Sequence, residues 1–281
     1  MSPVRVLVVD DSPTMRGLLK STLGKEKDIE VVATVPDCNA ARDAVKTLSP
    51  DVITLDVEMP GMDGLEFLRR LMQSRPTPVI MVSGLTAKNE DASIKAMSLG
   101  AVDCFVKPKR GGIEGFHELA NLVRLAAKAR VHRGQHPVRQ HVSPQGNYNF
   151  RDDVVVAIGS STGGIEALET VIRDFPENCP PTLITQHMPE GFTRSLAQRL
   201  DAKCKATIVE ATDGARILPG HIYIAPGGDL HLEIMGRKNR VCRLRSDDKV
   251  NGHCPSVDVL FNSVAKYAGS SAVGVSRQDR V

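Results

Sequence analysis

The sequence predicts an α/β protein of two domains: a doubly wound parallel sheet, then a second, mostly parallel α/β domain with an antiparallel hairpin. Three observations predict it. Five short apolar runs alternate with five amphipathic stretches in the first part, the pattern of a parallel sheet with helices on both faces. A polar segment with Pro and Gly, residues 131–151, then breaks all apolar periodicity, as linkers do. Apolar runs and helical stretches resume beyond it. The expected domains are therefore 1–130 and 152–281, joined by 131–151.

In the first domain, strands are expected at Arg5–Val9, Glu30–Thr34, Val52–Leu55, Val79–Val82 and Val102–Val106. They are short, mostly apolar runs, as strands buried on both faces are. Helices are expected at Thr14–Leu23, Cys38–Leu48, Gly64–Arg75, Asp91–Leu99 and Gly115–Ala129, where apolar residues recur at helical spacing. The second domain should have strands at Val154–Ile158, Thr182–Thr185, Ala206–Glu210, His221–Ala225, Leu230–Met235, Val241–Leu244 and Ala272–Val275. Its helices should be Gly164–Asp174, Phe192–Ala202 and Ser256–Tyr267. The turn Gly236-Arg237-Lys238-Asn239 reads as the tip of the hairpin.

Composition excludes several classes. With 41% hydrophobic and 25% charged residues, the chain is of ordinary globular type. A net charge of +3 is too small to imply nucleic acid. The six cysteines form no C-x-x-C pair, so free thiols in a reducing cytoplasm are expected rather than zinc or disulfides. Met1-Ser2-Pro3-Val4-Arg5 lacks a signal-peptide layout, and no apolar run reaches membrane-spanning length, so no membrane insertion is expected.

Chemistry gathers first at the strand ends of the first domain. Asp10 and Asp11 end the first strand, Asp56 the third, Ser83 the fourth and Lys107 the fifth. In a doubly wound sheet these ends share one crevice. Three carboxylates there call for a hard cation, and Mg²⁺ suits oxygen ligands while keeping waters for a phosphoryl group. Asp10, Asp11, Asp56 and the backbone carbonyl of Glu58 are the candidate ligands. Asp56 is the candidate phosphoryl acceptor. Lys107 and Ser83 would meet the phosphoryl oxygens.

These residues resemble the receiver domain of response regulators, a flavodoxin-like (βα)₅ fold. The matching text is Val8-Val9-Asp10-Asp11-Ser12, Asp56-Val57-Glu58-Met59-Pro60-Gly61-Met62-Asp63-Gly64, Ser83-Gly84 and Lys107-Pro108. The resemblance implies phosphorylation of Asp56 with Mg²⁺. Three residues before the lysine, where receivers carry a switch aromatic, this chain has Cys104, followed by Phe105.

The second constellation lies at Gly159-Ser160-Ser161-Thr162-Gly163-Gly164. An apolar strand precedes it and a helix follows, so a serine hydroxyl sits at a strand end beside helical N–H groups. Ser161 occupies the centre of the Gly-x-Ser-x-Gly elbow. Thr162 is placed to cap the helix. A phosphate-binding reading of the glycine turn lacks its Gly-Lys-Ser/Thr. Serine needs a base, and His187 follows the next strand end. His221, His231 and His253 compete for that role, but His221 opens a strand and His231 lies inside one, where structural roles are common.

Residues 154–275 resemble the catalytic domain of the CheB family of chemotaxis methylesterases. The matching text is Ile158–Gly164, Thr185-Gln186-His187-Met188-Pro189, Leu218–Gly227, Pro255–Phe261 and Ala272-Val273-Gly274-Val275. The resemblance implies hydrolysis of glutamate methyl esters and deamidation of glutamines on methyl-accepting chemoreceptors, with Ser161 as nucleophile and His187 as base. It also implies a chemotaxis histidine kinase as phosphodonor, a cytoplasmic location and no cofactor in the hydrolase domain.

One departure matters. In the family, the strand matching Ala272–Val275 runs into a glycine-rich turn that carries the triad aspartate. Here Ser276-Arg277-Gln278-Asp279-Arg280-Val281 follows, and no acidic triad member is carried over. The expectation is a catalytic domain incomplete at its C-terminus, with a polar tail where an apolar strand should continue. A catalytically inert receiver-bearing protein, acting as a phosphoryl sink, is the alternative. A DNA-binding regulator is disfavoured, because no helix-turn-helix with a basic recognition helix is present.

Overall fold

The structure is a computed structural model. It describes residues 2–59, 63–84, 86–108, 116–129, 131, 150, 151, 153–161 and 164–277. The expected linker 131–151, Thr162 and Asp279 fall almost entirely or wholly outside these residues. The chain divides into two compact units, Met1–Arg139 and Gln140–Val281.

The first unit alternates β1 (Val4–Val9), α1 (Pro13–Leu23), β2 (Ile29–Val35), α2 (Cys38–Leu48), β3 (Val52–Asp56) and α3 (Gly64–Ser74). It continues with β4 (Val79–Ser83), α4 (Ala87–Ser98), β5 (Asp103–Val106) and α5 (His117–Lys128). All five strands run parallel in the order β2-β1-β3-β4-β5. Every residue of β3 and β4 is buried, the physical reason their sequences are apolar but for Thr54, Asp56 and Ser83. On one face Val6, Val8, Ile80 and Phe105 pack with Leu119 and Val123 of α5.

Polar residues set the helix starts that bear on the crevice. Ser12 caps α1 by accepting from the Met15 amide, with Pro13 in the first turn. Asp63 caps α3 by accepting from Leu65. Helix α4 begins at Ala87 rather than the expected Asp91. Its first turn reads Ala-Lys-Asn-Glu, which offers no apolar period to signal it.

The second unit comprises β6 (Val155–Ser160), α6 (Gly164–Ile172), β7 (Thr182–Gln186), α7 (Phe192–Asp201), β8 (Thr207–Glu210) and β9 (His221–Ile224). The hairpin β10 (Leu230–Met235) and β11 (Val241–Ser246) follows, then α8 (Val257–Ala268), a 3-10 turn and β12 (Ala272–Arg277). A parallel sheet has the order β12-β6-β7-β9-β8. The hairpin forms its own antiparallel sheet. Leu232 and Ile234 of β10 join Leu260 and Val264 of α8 and Val155 of β6 in one core.

The polar tail does not end the last strand at Val275 as expected. β12 continues through Ser276 and Arg277, in register with Gly159 and Ser160 of β6. A ladder is made by backbone groups, so polar side chains do not stop it at a sheet edge. Val273 and Val275 leave 46% and 45% of their surface exposed there.

Two candidate active sites

In the first unit the strand ends converge as expected. Ligand oxygens of Asp10, Asp11 and Asp56 all lie within 4.8 Å of one another. Asp10 and Asp56 are buried, whereas Asp11 is exposed. Lys107 Nζ stands 2.7 Å from Asp56 Oδ2 and 2.9 Å from Asp10 Oδ2. The backbone fixes the rest of this geometry. The Ser12 amide donates to Asp10 Oδ1 at 2.9 Å, and the Glu58 amide to Asp56 Oδ1 at 3.3 Å. Arg16 Nη1 donates to the carbonyls of Asp10 and Asp11, a contact that sequence pattern alone does not reveal.

Burial raises the Asp56 pKa above the usual carboxylate value, with Asp10 adding to it and Lys107 opposing. Burial would lower Lys107, but its bonds and charge pairing with Asp56 and Asp10 outweigh that and raise it. Ser83 is fully buried, with its Oγ 3.3 Å from Ser93 Oγ. Cys104 and Phe105 are both buried, and the Phe105 ring packs on Phe116 at 5.6 Å.

The donor set fits Mg²⁺. It is made of hard carboxylate oxygens, and Asp10 Oδ2, buried with Lys107 Nζ 2.9 Å away, is already a site for positive charge. Asp10, Asp11 and Asp56 are the residues that would hold it.

In the second unit, β6 and β7 are adjacent and parallel, so their carboxyl ends share one edge. Ser161 follows β6 and His187 follows β7. His187 Nδ1 is 3.2 Å from Ser161 Oγ. The His187 amide donates to Ser160 O, and Gln186 Nε2 donates to Ser161 O at 3.1 Å. Ser160 itself is buried, and its Oγ has no partner among the described residues. The glycines at this edge are required by close approach. A Cβ on Gly159 would lie 2.3 Å from Val257 Cγ1, and one on Gly227 only 2.3 Å from Pro189 O.

His187 Nε2 is buried and has no hydrogen-bond partner among the described residues. Burial lowers the His187 pKa to about 4, helped by the charge of His253 and opposed by that of Asp258. His253 stacks on His187 with centroids 3.9 Å apart and planes 8° from parallel. Sequence reasoning offered His253 only as a rival base and missed Asp258. The run Pro255-Ser256-Val257-Asp258 was the available signal, but it does not say which strand end α8 approaches. The two other histidines are tied structurally: His221 Nδ1 meets Pro219 O at 3.0 Å, and His231 is fully buried in β10.

Fold and sites together have the layout of a receiver domain and an esterase-type domain in one chain. Comparison with known proteins agrees. Residues 6–114 match the response regulator receiver domain, and residues 156–276 match the CheB methylesterase domain. Over 276 residues the chain is 53% identical to a protein-glutamate methylesterase/protein-glutamine glutaminase of Agrobacterium fabrum, covering 96% of this chain and 78% of that one. It is 48% identical over 280 residues to the protein of the same name from Salmonella typhimurium, covering 98% and 80%. Among solved structures, the CheB methylesterase catalytic domain of Thermotoga maritima is similar at 39% identity and a TM-score of 0.44, over 46% of this chain and 68% of that one. The chain belongs to the CheB family of protein-glutamate methylesterase/protein-glutamine glutaminases.

Proposed function

We propose that this chain removes methyl groups from glutamate esters, and deamidates glutamines, on methyl-accepting chemoreceptors, under control of phosphorylation at Asp56. The observation that carries the hydrolytic part is the 3.2 Å approach of His187 Nδ1 to Ser161 Oγ. As the Oγ attacks the ester carbonyl, its proton passes to Nδ1. The tetrahedral adduct collapses, the proton moves from His187 to the leaving methoxide, and methanol departs. Water then attacks the acyl-serine and gives its proton to the same nitrogen; His187 returns that proton to Ser161 Oγ as the acyl bond breaks, freeing the glutamate and the serine hydroxyl. With a glutamine substrate the leaving group is ammonia. At neutral pH an imidazole of pKa about 4 is in its base form.

In the receiver unit Asp56 accepts the phosphoryl group from a chemotaxis histidine kinase, forming an acyl phosphate. Asp10, Asp11, Asp56 and the Glu58 carbonyl would hold Mg²⁺, which would supply positive charge beside the phosphoryl oxygens. Lys107 turns from Asp10 and Asp56 to a phosphoryl oxygen, and the Ser83 hydroxyl gives a further hydrogen bond. Phosphorylation shifts the population toward a form in which the esterase is unrestrained. The setting is the cytoplasm. Among the described residues no helix is long and apolar enough to cross a membrane.

The inert phosphoryl-sink reading is not favoured. Relatives matching nearly the whole chain carry the esterase name. The direct test is methanol release from methylated chemoreceptor membranes by the purified chain, with Mg²⁺ and a small phosphodonor. Release is expected to vanish in Ser161→Ala and to lose its response to phosphodonor in Asp56→Asn. Release indifferent to Ser161→Ala overturns the proposal.

A further inference from the structure

We infer that His253 is a positioning residue of the hydrolase site: its ring, stacked on His187, fixes the imidazole plane that aims Nδ1 at Ser161. This rests on the reading of Ser161 and His187 as nucleophile and base. The last side-chain torsion of histidine is broad, so a contact at one nitrogen leaves the ring room to tilt. His187 meets Ser161 Oγ through Nδ1. A second ring lying 3.9 Å away and 8° from parallel restricts that tilt.

The stack is built from below. His231 Nδ1 accepts from the Ser256 amide at 3.1 Å, and its Nε2 lies 3.1 Å from the Asp248 carbonyl. An amide can only donate, so the His231 proton sits on Nε2 and is given to Asp248 O. One buried ring thereby pins both ends of the segment 248–256. Between those ends Val250 and His253 exchange both backbone hydrogen bonds, closing a tight turn through Asn251 and Gly252, both with positive φ. Asn251 Nδ2 donates to Asp258 Oδ2 at 2.6 Å, tying the turn to the start of α8. Val257 sits where only a glycine at position 159 leaves room, so α8 and the turn are set against the β6 edge. His253 remains exposed on its outer side.

Two titratable groups face His187. His253 comes from the turn, and its proton opposes an imidazolium on His187. Asp258 comes from α8 and favours one. On the β6 and β7 side the neighbours are the uncharged Ser161 and Gln186. The stack thus has two separable effects, orientation and charge, and two substitutions separate them. His253→Ala removes both, whereas His253→Phe keeps a flat face and removes the charge.

The test follows the His187 ring protons by NMR across a pH titration of the full chain, together with the rate at which a fluorophosphonate labels Ser161. In the wild type the His187 ring protons should be shielded by the neighbouring ring, and His253→Ala should abolish that shielding and slow labelling about tenfold through misorientation. His253→Phe should keep the shielding and a labelling rate within about twofold of wild type at neutral pH, and its His187 should titrate at higher pH. His187 signals and titration unchanged in both variants overturn the inference, as does equal loss of labelling in Ala and Phe variants with intact thermal unfolding. A wild-type serine that does not react refutes the nucleophile reading, while the shielding still decides the stack.

Discussion

The two sites solve opposite electrostatic problems. In the receiver crevice the charges are kept: Lys107 spans two buried carboxylates at 2.7 and 2.9 Å, and each carboxylate also takes a backbone amide. In the hydrolase site charge is kept out: His187 is held neutral, one nitrogen on Ser161 and the other without a partner among the described residues. The difference fits the roles proposed for Asp56 and His187. A phosphoryl acceptor needs a pre-charged bed that exchanges one cation for another, whereas a general base must arrive empty of its proton. Both sites stand at the carboxyl ends of parallel strands, so the contrast comes from side chains and burial.

The largest effect should come from the proposed nucleophile. Ser161→Ala is expected to lower methanol release by about 10⁴-fold or more, measured on methylated receptor membranes, while the neighbouring Ser160→Ala leaves it within about threefold of wild type. His187→Gln should cost about 10³-fold. In the wild type, activity should stay level from neutral pH down to about pH 5 and fall by half near the His187 pKa of about 4, because a protonated imidazole cannot accept the serine proton. A profile read from kcat/KM reports the free protein. A half-point near the ordinary imidazole value would erase the contrast between the sites.

On the receiver side, Lys107→Ala strands two buried carboxylates and should cost about 3 kcal/mol of stability, read by denaturant unfolding. Mg²⁺ should recover more of that loss in the variant than it adds to wild type, because the cation replaces the missing positive charge. Equal Mg²⁺ stabilisation of both proteins would separate the acidic cluster from Lys107. The smallest effect expected is that of Gly227→Ala. Its Cβ would press on the carbonyls of Pro189 and Met188 at 2.3 and 2.6 Å, costing about 1–3 kcal/mol and slowing hydrolysis through the loop that follows His187. Unchanged unfolding would show that this loop yields.

Much of the architecture was legible because parallel strands buried on both faces leave apolar runs, such as Val52–Asp56 and Val79–Ser83, that polar helix faces interrupt. The strand-end acids, Lys107, Ser161 and His187 were legible because the doubly wound rule brings such ends together without any knowledge of register. Polar ladders and polar first turns were not legible. Hence β12 runs on to Arg277, and α4 starts four residues early. His253 was not legible as a partner of His187, since their contact depends on the Gly159–Val257 approach and on His231 pinning a distant loop. Neither leaves a period in the sequence.

Hydrolysis by this domain depends above all on Ser161 and His187 forming a working pair. The most direct measurement is the site and rate of fluorophosphonate labelling of the purified chain at pH 7, mapped by peptide mass spectrometry. A single adduct on Ser161, slowed at least about 100-fold in His187→Gln, is the predicted result. An adduct on Ser160, or a Ser161 rate indifferent to His187→Gln, would contradict it.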